Sequence, residues 1–221
     1  MALEAEGKTF LAKGDFEKAL KALDEEMGKS EMVVAFAPIR LIAAGGFLAV
    51  MLLQNRDATG DLDYLIDPEW ASDVDIQKPL KDAIGKVSRD LDYNIEWANE
   101  DLGLFVTKDA RHYLFSKAEE QNIVLFKGEY LIVLAAPIEW ALERKIRRIY
   151  AADRGRKTEF DLSDCLAMLR YLRERQNAPL DREYIRTLNV NNFDILPDDR
   201  TMAVIAAAYR EKFDEEIFND T

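Results

Sequence analysis

Apolar positions change their spacing several times along this chain, and each change predicts a new element. In DFEKALKALDEEM, residues 15–27, Phe16, Leu20 and Leu23 recur at helical intervals on one face. Asp15 is the expected N-cap, and the polar GKSE that follows ends the helix. IRLIAA at 39–44 reads as a strand, which Gly45-Gly46 breaks. Phe47 to Leu53 reads as a helix apolar on most of its surface, and such a helix is buried. NRDATG at 55–60 is turn chemistry. Leu62 to Ile66 is a strand interrupted only by Asp63, and Asp67-Pro68 ends it. Residues 73–91 put Ile76, Leu80, Ile84, Val87 and Leu91 on one helical face, with Pro79 pushing the expected start later. Leu104 to Thr107 reads as a short strand and Asp109 to Gln121 as a helix. The apolar runs 123–126 and 130–135, split by Lys127-Gly128-Glu129, predict a hairpin.

From Pro137 onward the period is helical throughout. Helices are predicted over 138–152, 159–175, 181–188 and 198–213, with Pro179, Pro197 and Asp198 at the breaks. Strands that end near residue 135, followed by helices alone, predict an α+β fold. The expectation is a mixed sheet flanked by helices, with a C-terminal helical region. The expected division is an N-terminal helix at 1–30, a core at 31–136 and the helical region at 137–221.

Composition narrows the functions. The chain has 221 residues, 48% of them hydrophobic, enough for one good core with an appendage. Its 42 Asp and Glu against 30 Lys and Arg argue against bulk attraction to nucleic acid or an anionic membrane. Cys165 is the only cysteine, so an intrachain disulfide is excluded and a cytoplasmic setting is expected. The start, MALEAEGKTF, lacks the basic-then-apolar pattern of a secretion signal. The longest apolar run, Leu41 to Leu53, is too short to span a bilayer. His112 is the only histidine, which excludes His-rich zinc sites and places it on a helix surface. Cys165, Trp97 and Trp140 are expected in the core.

Candidate chemistry gathers in LIAAGGFLAVMLLQNRDATGDLDYLI, residues 41–66. A strand leads into two glycines, which permit a tight turn and close backbone approach to a ligand. The helix that follows offers free N–H groups suited to a phosphate. Asp61 and Asp63, two apart on a strand, point the same way. Two adjacent carboxylates repel unless a cation neutralises them, and Mg²⁺ is bound through one or two carboxylates plus substrate phosphates.

This segment resembles the signature of the nucleotidyltransferase superfamily: a Gly-Gly turn, a helix, then Asp-hydrophobic-Asp. It is similar to the minimal, AbiEii-toxin-like branch, in which an Arg and a Thr precede the acids, as Arg56 and Thr59 do here. PIEWALERKIRRIYAADRGRKTEFDLSD at 137–164 adds to the likeness, with Lys145, Arg148, Arg156, Lys157, Asp161 and Asp164 in a Lys, basic-turn, Asp layout. The resemblance implies that Asp61 and Asp63 are catalytic and bind two Mg²⁺ ions. It implies that Gly45, Gly46, Arg56, Thr59 and Lys145 bind the nucleotide. The family also places a third carboxylate on a later core strand. The expected strand, Ile123 to Phe126, has none, with Val124 or Leu125 where an acid would stand. Glu100, Asp101 and Glu129 are the alternatives.

Three functions follow as expectations. The first is transfer of a nucleoside monophosphate from an NTP to a hydroxyl of a small molecule, protein or RNA, with Mg²⁺. The second is a repurposed fold binding a non-nucleotide small molecule and catalysing a metal-independent rearrangement or cyclisation, of fungal natural-product type. The third is a non-catalytic interaction protein.

Overall fold

The computed structural model describes residues 7–151, 156–190 and 195–219, with the side chains of 156–158 set aside. The chain divides into two compact units, Met1–Ala136 and Pro137–Thr221.

The first unit is built on β2 (Ile39–Ala44), β4 (Leu62–Ile66), β5 (Ala98–Asn99), β6 (Val124–Lys127) and β7 (Leu131–Ala135), with a small antiparallel pair, β1 (Leu11–Ala12) and β3 (Ala58–Thr59), beside them. The five form one sheet in the order β5-β4-β2-β7-β6. β2 is antiparallel to β4 and parallel to β7, so the sheet is mixed. β5 runs parallel to β4, and β6 and β7 form the predicted antiparallel hairpin. The helices of this unit are α1 (Lys13–Met27), α2 (Glu31–Phe36), α3 (Gly46–Met51), α4 (Val74–Leu91) and α5 (Lys108–Gln121). The α+β class and the mixed sheet flanked by helices are therefore as the hydrophobic pattern predicts.

Alternation along the strands assigns the two faces. Leu41, Ala43, Leu62, Tyr64, Ile66, Leu131 and Val133 point to one side, where they pack with Phe16, Leu20 and Leu23 of α1 and Ile76, Leu80 and Val87 of α4. Each such side chain, fully buried, contributes about 1.5–3 kcal/mol. The other side carries Ile42, Ala44, Asp63, Leu65 and Leu134 by the same alternation, and α5 lies against β7. Arg40, on that side, pairs with Asp67 at 2.6 Å and with Glu119 of α5. Asp24 of α1 accepts the backbone N–H groups of Glu129, Tyr130 and Leu131 at 3.1, 2.8 and 2.8 Å, fastening α1 to the β6–β7 turn.

Local differences from the pattern have identifiable causes. α4 begins at Val74 despite Pro79. Asp73 caps it by accepting the Asp75 N–H at 2.8 Å, and buried Ile76 anchors the first turn. Pro79 thus costs one early helical bond while the apolar face stays in register. Leu104 to Thr107 is not a strand: Asp101–Phe105 is a 3-10 turn, with Leu104 and Phe105 exposed. Asp15 is the third residue of α1 rather than its cap, and accepts the Ala12 N–H at 2.8 Å.

The second unit is helical over its described residues: α6 (Ile138–Tyr150), α7 (Arg156–Gln176), α8 (Arg182–Thr187) and α9 (Asp199–Phe213). α6 packs along α7, and α9 packs on both. The predicted end of the first of these helices, at residue 152, lies outside the described residues. Among the described residues no helix is long and apolar enough to cross a membrane.

Candidate functional site

The sheet order brings the sequence motif into one place. β2 delivers the chain to Gly45, whose φ of 68° lies in the region that favours glycine. α3 starts at Gly46 and lasts only to Met51, so its dipole is that of a turn and a half. β4 then returns antiparallel to β2, with Ala44 opposite Asp63.

Both glycines are demanded by what lies against them. A Cβ on Gly45 would come closer than 3.0 Å to the Asp63 carboxylate. A Cβ on Gly46 would come closer than 3.0 Å to the Thr59 hydroxyl and to its Cβ. The turn, a buried hydroxyl and a half-buried carboxylate therefore form one unit, closed where any side chain would intrude. Gly45 meets Asp63 and Gly46 meets Thr59, with Asp61 two residues before Asp63 on the same segment. Arg56 is half-buried on the loop between α3 and β3, three residues before Thr59.

Asp61 and Asp63 share the side of the sheet opposite α1 and α4. Next to them is a residue the sequence reading did not single out. β5 is the strand beside β4, and its Asn99 stands opposite Asp63. The Asn99 amide Nδ2 donates to Asp61 Oδ2 at 3.4 Å. The third acid was expected on Ile123 to Phe126, but β6 lies at the far edge of the sheet, with β2 and β7 between it and β4. Of the alternatives, Glu100 accepts the Ile66 N–H at 3.2 Å and pairs with Arg111. Asp101 is exposed. The Glu129 N–H is bound by Asp24 at the hairpin turn. A two-residue strand gives no alternation to read, so only the observed pairing could identify Asn99.

Among the described residues no group of three or more His, Cys, Asp and Glu side chains is placed to hold a metal ion. Two carboxylates on one strand face suit at most one Mg²⁺ that completes its shell from phosphate and water. They do not supply the carboxylates for the two ions that the resemblance implies.

Lys145 belongs to the second unit and is buried there. Its ammonium lies 2.7 Å from both Asp161 and Asp164, with Arg148 at 3.5 Å from Asp161. The Lys145, Arg148, Asp161 and Asp164 of the second motif thus meet one another as an internal ionic cluster. The side chains of Arg156 and Lys157 lie outside the described residues. Cys165 is fully buried, and burial pushes its thiol well above the ordinary range. His112 is exposed on α5, and Trp97 and Trp140 are core residues. The Trp97 indole N–H donates to the Ile84 carbonyl at 3.1 Å.

No family model matches the chain, and neither the curated proteins nor the solved structures yield a match.

Proposed function

We propose that the chain is a nucleotidyltransferase-type protein that binds a nucleoside triphosphate with Mg²⁺ and passes its nucleoside monophosphate to a hydroxyl. The observation that supports this is the combination in one place of the Gly45-Gly46 turn, Thr59 against it and the strand that carries Asp61 and Asp63. Backbone without side chains, a hydroxyl and a carboxylate pair are what a metal-bound triphosphate requires of a protein. Asp61 and Asp63 hold the cation. Gly45 and Gly46 admit the phosphates close to the backbone, and Thr59 and Arg56 flank them. Bound there, Mg²⁺ supplies positive charge against the phosphates. The acceptor oxygen bonds to the α-phosphorus, its proton is lost to solvent, and pyrophosphate leaves. Lys145 has no part in this, because two aspartates already hold its ammonium. The net charge of −12 favours a small-molecule or protein hydroxyl over RNA. A cytoplasmic setting fits a chain whose one cysteine is a buried thiol.

A second reading is favoured by Asn99. With an amide rather than an acid beside Asp61, the same site suits a non-nucleotide small molecule and a metal-independent rearrangement or cyclisation. Calorimetric titration of ATP, GTP, CTP and UTP with Mg²⁺ separates the two. Binding by the wild type that needs Mg²⁺ and disappears in Asp61→Ala/Asp63→Ala, shown folded by circular dichroism, supports the first. A folded wild type that binds none of the four sinks it and leaves the second.

A further inference from the structure

We infer that the apolar patch formed by α2 and the start of α4 is a docking surface for a basic amphipathic helix of another protein. It stands apart from the nucleotide reading above. In EMVVAF, residues 31–36, Val33 is the buried side chain, while Met32, Val34, Ala35 and Phe36 are exposed. A surface helix normally turns its apolar side chains inward, and α2 turns most of them outward. Met32 and Phe36 lie one turn apart on one flank of the helix. The Phe36 ring packs on that of Trp70, with centroids 5.0 Å apart. The Trp70 carbonyl accepts the Asp73 N–H at 3.0 Å, closing a turn that leads directly into Val74, the exposed first residue of α4. Met32, Phe36, Trp70 and Val74 thus come from two segments to one patch, joined by the aromatic pair, and a contiguous patch of this kind marks an interaction site.

The charges around the patch choose its occupant. Glu31 precedes Met32, Glu69 precedes Trp70, and Asp73 and Asp75 flank Val74. Of the nearby cations, Lys29 is held by Glu26, and Lys78 stands one turn past Val74. A second copy of this chain would bring the same acids against these, and the net charge of −12 adds to the repulsion. An anionic membrane is repelled in the same way. A helix with leucine-like side chains on one face and Lys or Arg on its flanks meets both demands. Its apolar face covers the aromatic pair, and its cations meet the acids. Anchors at i, i+4 and i+7 of such a helix span about 10 Å, close to the length of α2.

The test uses the full chain and two synthetic peptides of about 18 residues, one with a leucine face and lysines elsewhere, the other with glutamates in place of the lysines. Binding is read from the anisotropy of a dye on the peptide. The lysine peptide is expected to bind with a Kd on the order of 10 μM, and the glutamate peptide at least about tenfold more weakly. Raising the salt to about 0.5 M should weaken the lysine peptide. Phe36→Ser and Val74→Ser change exposed side chains, and each should weaken it, the first by about tenfold. Any acidic chain attracts lysines, so Tyr113→Ser, which removes an exposed aromatic from α5, is the control and should leave binding unchanged. Binding of neither peptide, equal binding of both, or equal losses in Phe36→Ser and Tyr113→Ser would overturn the inference. So would a wild-type dimer in sedimentation velocity that Phe36→Ser dissociates, since the occupant is then a second copy. Should Phe36→Ser not fold, Val74→Ser takes its place in each comparison.

Discussion

Replacing Gly45 by Ala puts a number on how tightly the turn is closed. Two costs add. Gly45 has φ 68° and ψ −145°, a region almost reserved for glycine, and holding Ala there costs about 1–3 kcal/mol. The new Cβ would also lie closer than 3.0 Å to Asp63 Oδ2, the tip of a side chain that can turn aside at a rotamer cost of about 0.5–1.5 kcal/mol. The sum, roughly 1.5–4.5 kcal/mol, is a large part of the roughly 5–15 kcal/mol that holds a typical domain. The midpoint of thermal unfolding should fall by on the order of 4–15 °C. Gly14→Ala is the control, because nothing lies within 4 Å of its Cβ and it sits in α1. That change should be neutral or stabilising by up to about 1 kcal/mol. Asp63→Ala separates the terms: in its background Gly45→Ala should keep the backbone cost and lose the steric one, cutting the effect by about a third. The assay is urea unfolding followed by tryptophan fluorescence, since Trp70 and Trp97 lie in the same unit. Gly45→Ala within about 0.5 kcal/mol of the wild type would refute the geometry described for this turn.

Other consequences are as direct. Lys145→Met removes the ammonium that buried Asp161 and Asp164 share, and should destabilise Pro137–Thr221 by about 3–5 kcal/mol in urea unfolding read from Trp140. Converting both aspartates to Asn as well should restore most of it, and a loss under about 1 kcal/mol for the single change would contradict the burial. Cys165 should resist a thiol reagent at pH 8 in the folded chain and react at once in urea, so prompt labelling of the native protein would count against its placement. The Lys8 ammonium, with the Ala12 N–H, holds the Asp15 carboxyl below its ordinary 3.8 despite some burial. Its contribution is complete above that value and is lost as pH falls through the lower folded one. Asp15→Asn should therefore flatten the pH 2–4 limb of stability, and an unchanged limb would dismiss this pair.

What the sequence could disclose followed the length of each element. Ile39–Ala44 and Leu62–Ile66 alternate or run apolar over five or six residues, and both strands fall where the pattern puts them. The apolar face of α4 outweighed Pro79 because five buried side chains share it and the proline removes one bond. β5 has two residues, and β1 and β3 two each, so none carries a period. Their existence depends on what lies alongside them, which no single window of sequence contains. The expected place of a third acid therefore fell on 123–126, the best candidate for a later core strand in the apolar pattern. Strand order is a long-range property, and it gave the place beside Asp63 to Asn99.

The two glycines cannot by themselves choose between the competing functions. Gly45 is required by its positive φ and by Asp63, and Gly46 by Thr59, and that holds whether or not a phosphate ever approaches. The carboxylate pair is only slightly more selective, since any cation would relieve it. Asn99 too has a local reason, because its Oδ1 accepts the Asp101 N–H while its Nδ2 donates to the Glu96 carbonyl and to Asp61. An acid at that rung would lose the donor to Asp61 and add a negative charge beside the pair. Nucleotide binding that needs Mg²⁺ and disappears with Asp61 and Asp63 therefore discriminates between the readings, where the glycine turn, although better fixed by geometry, does not.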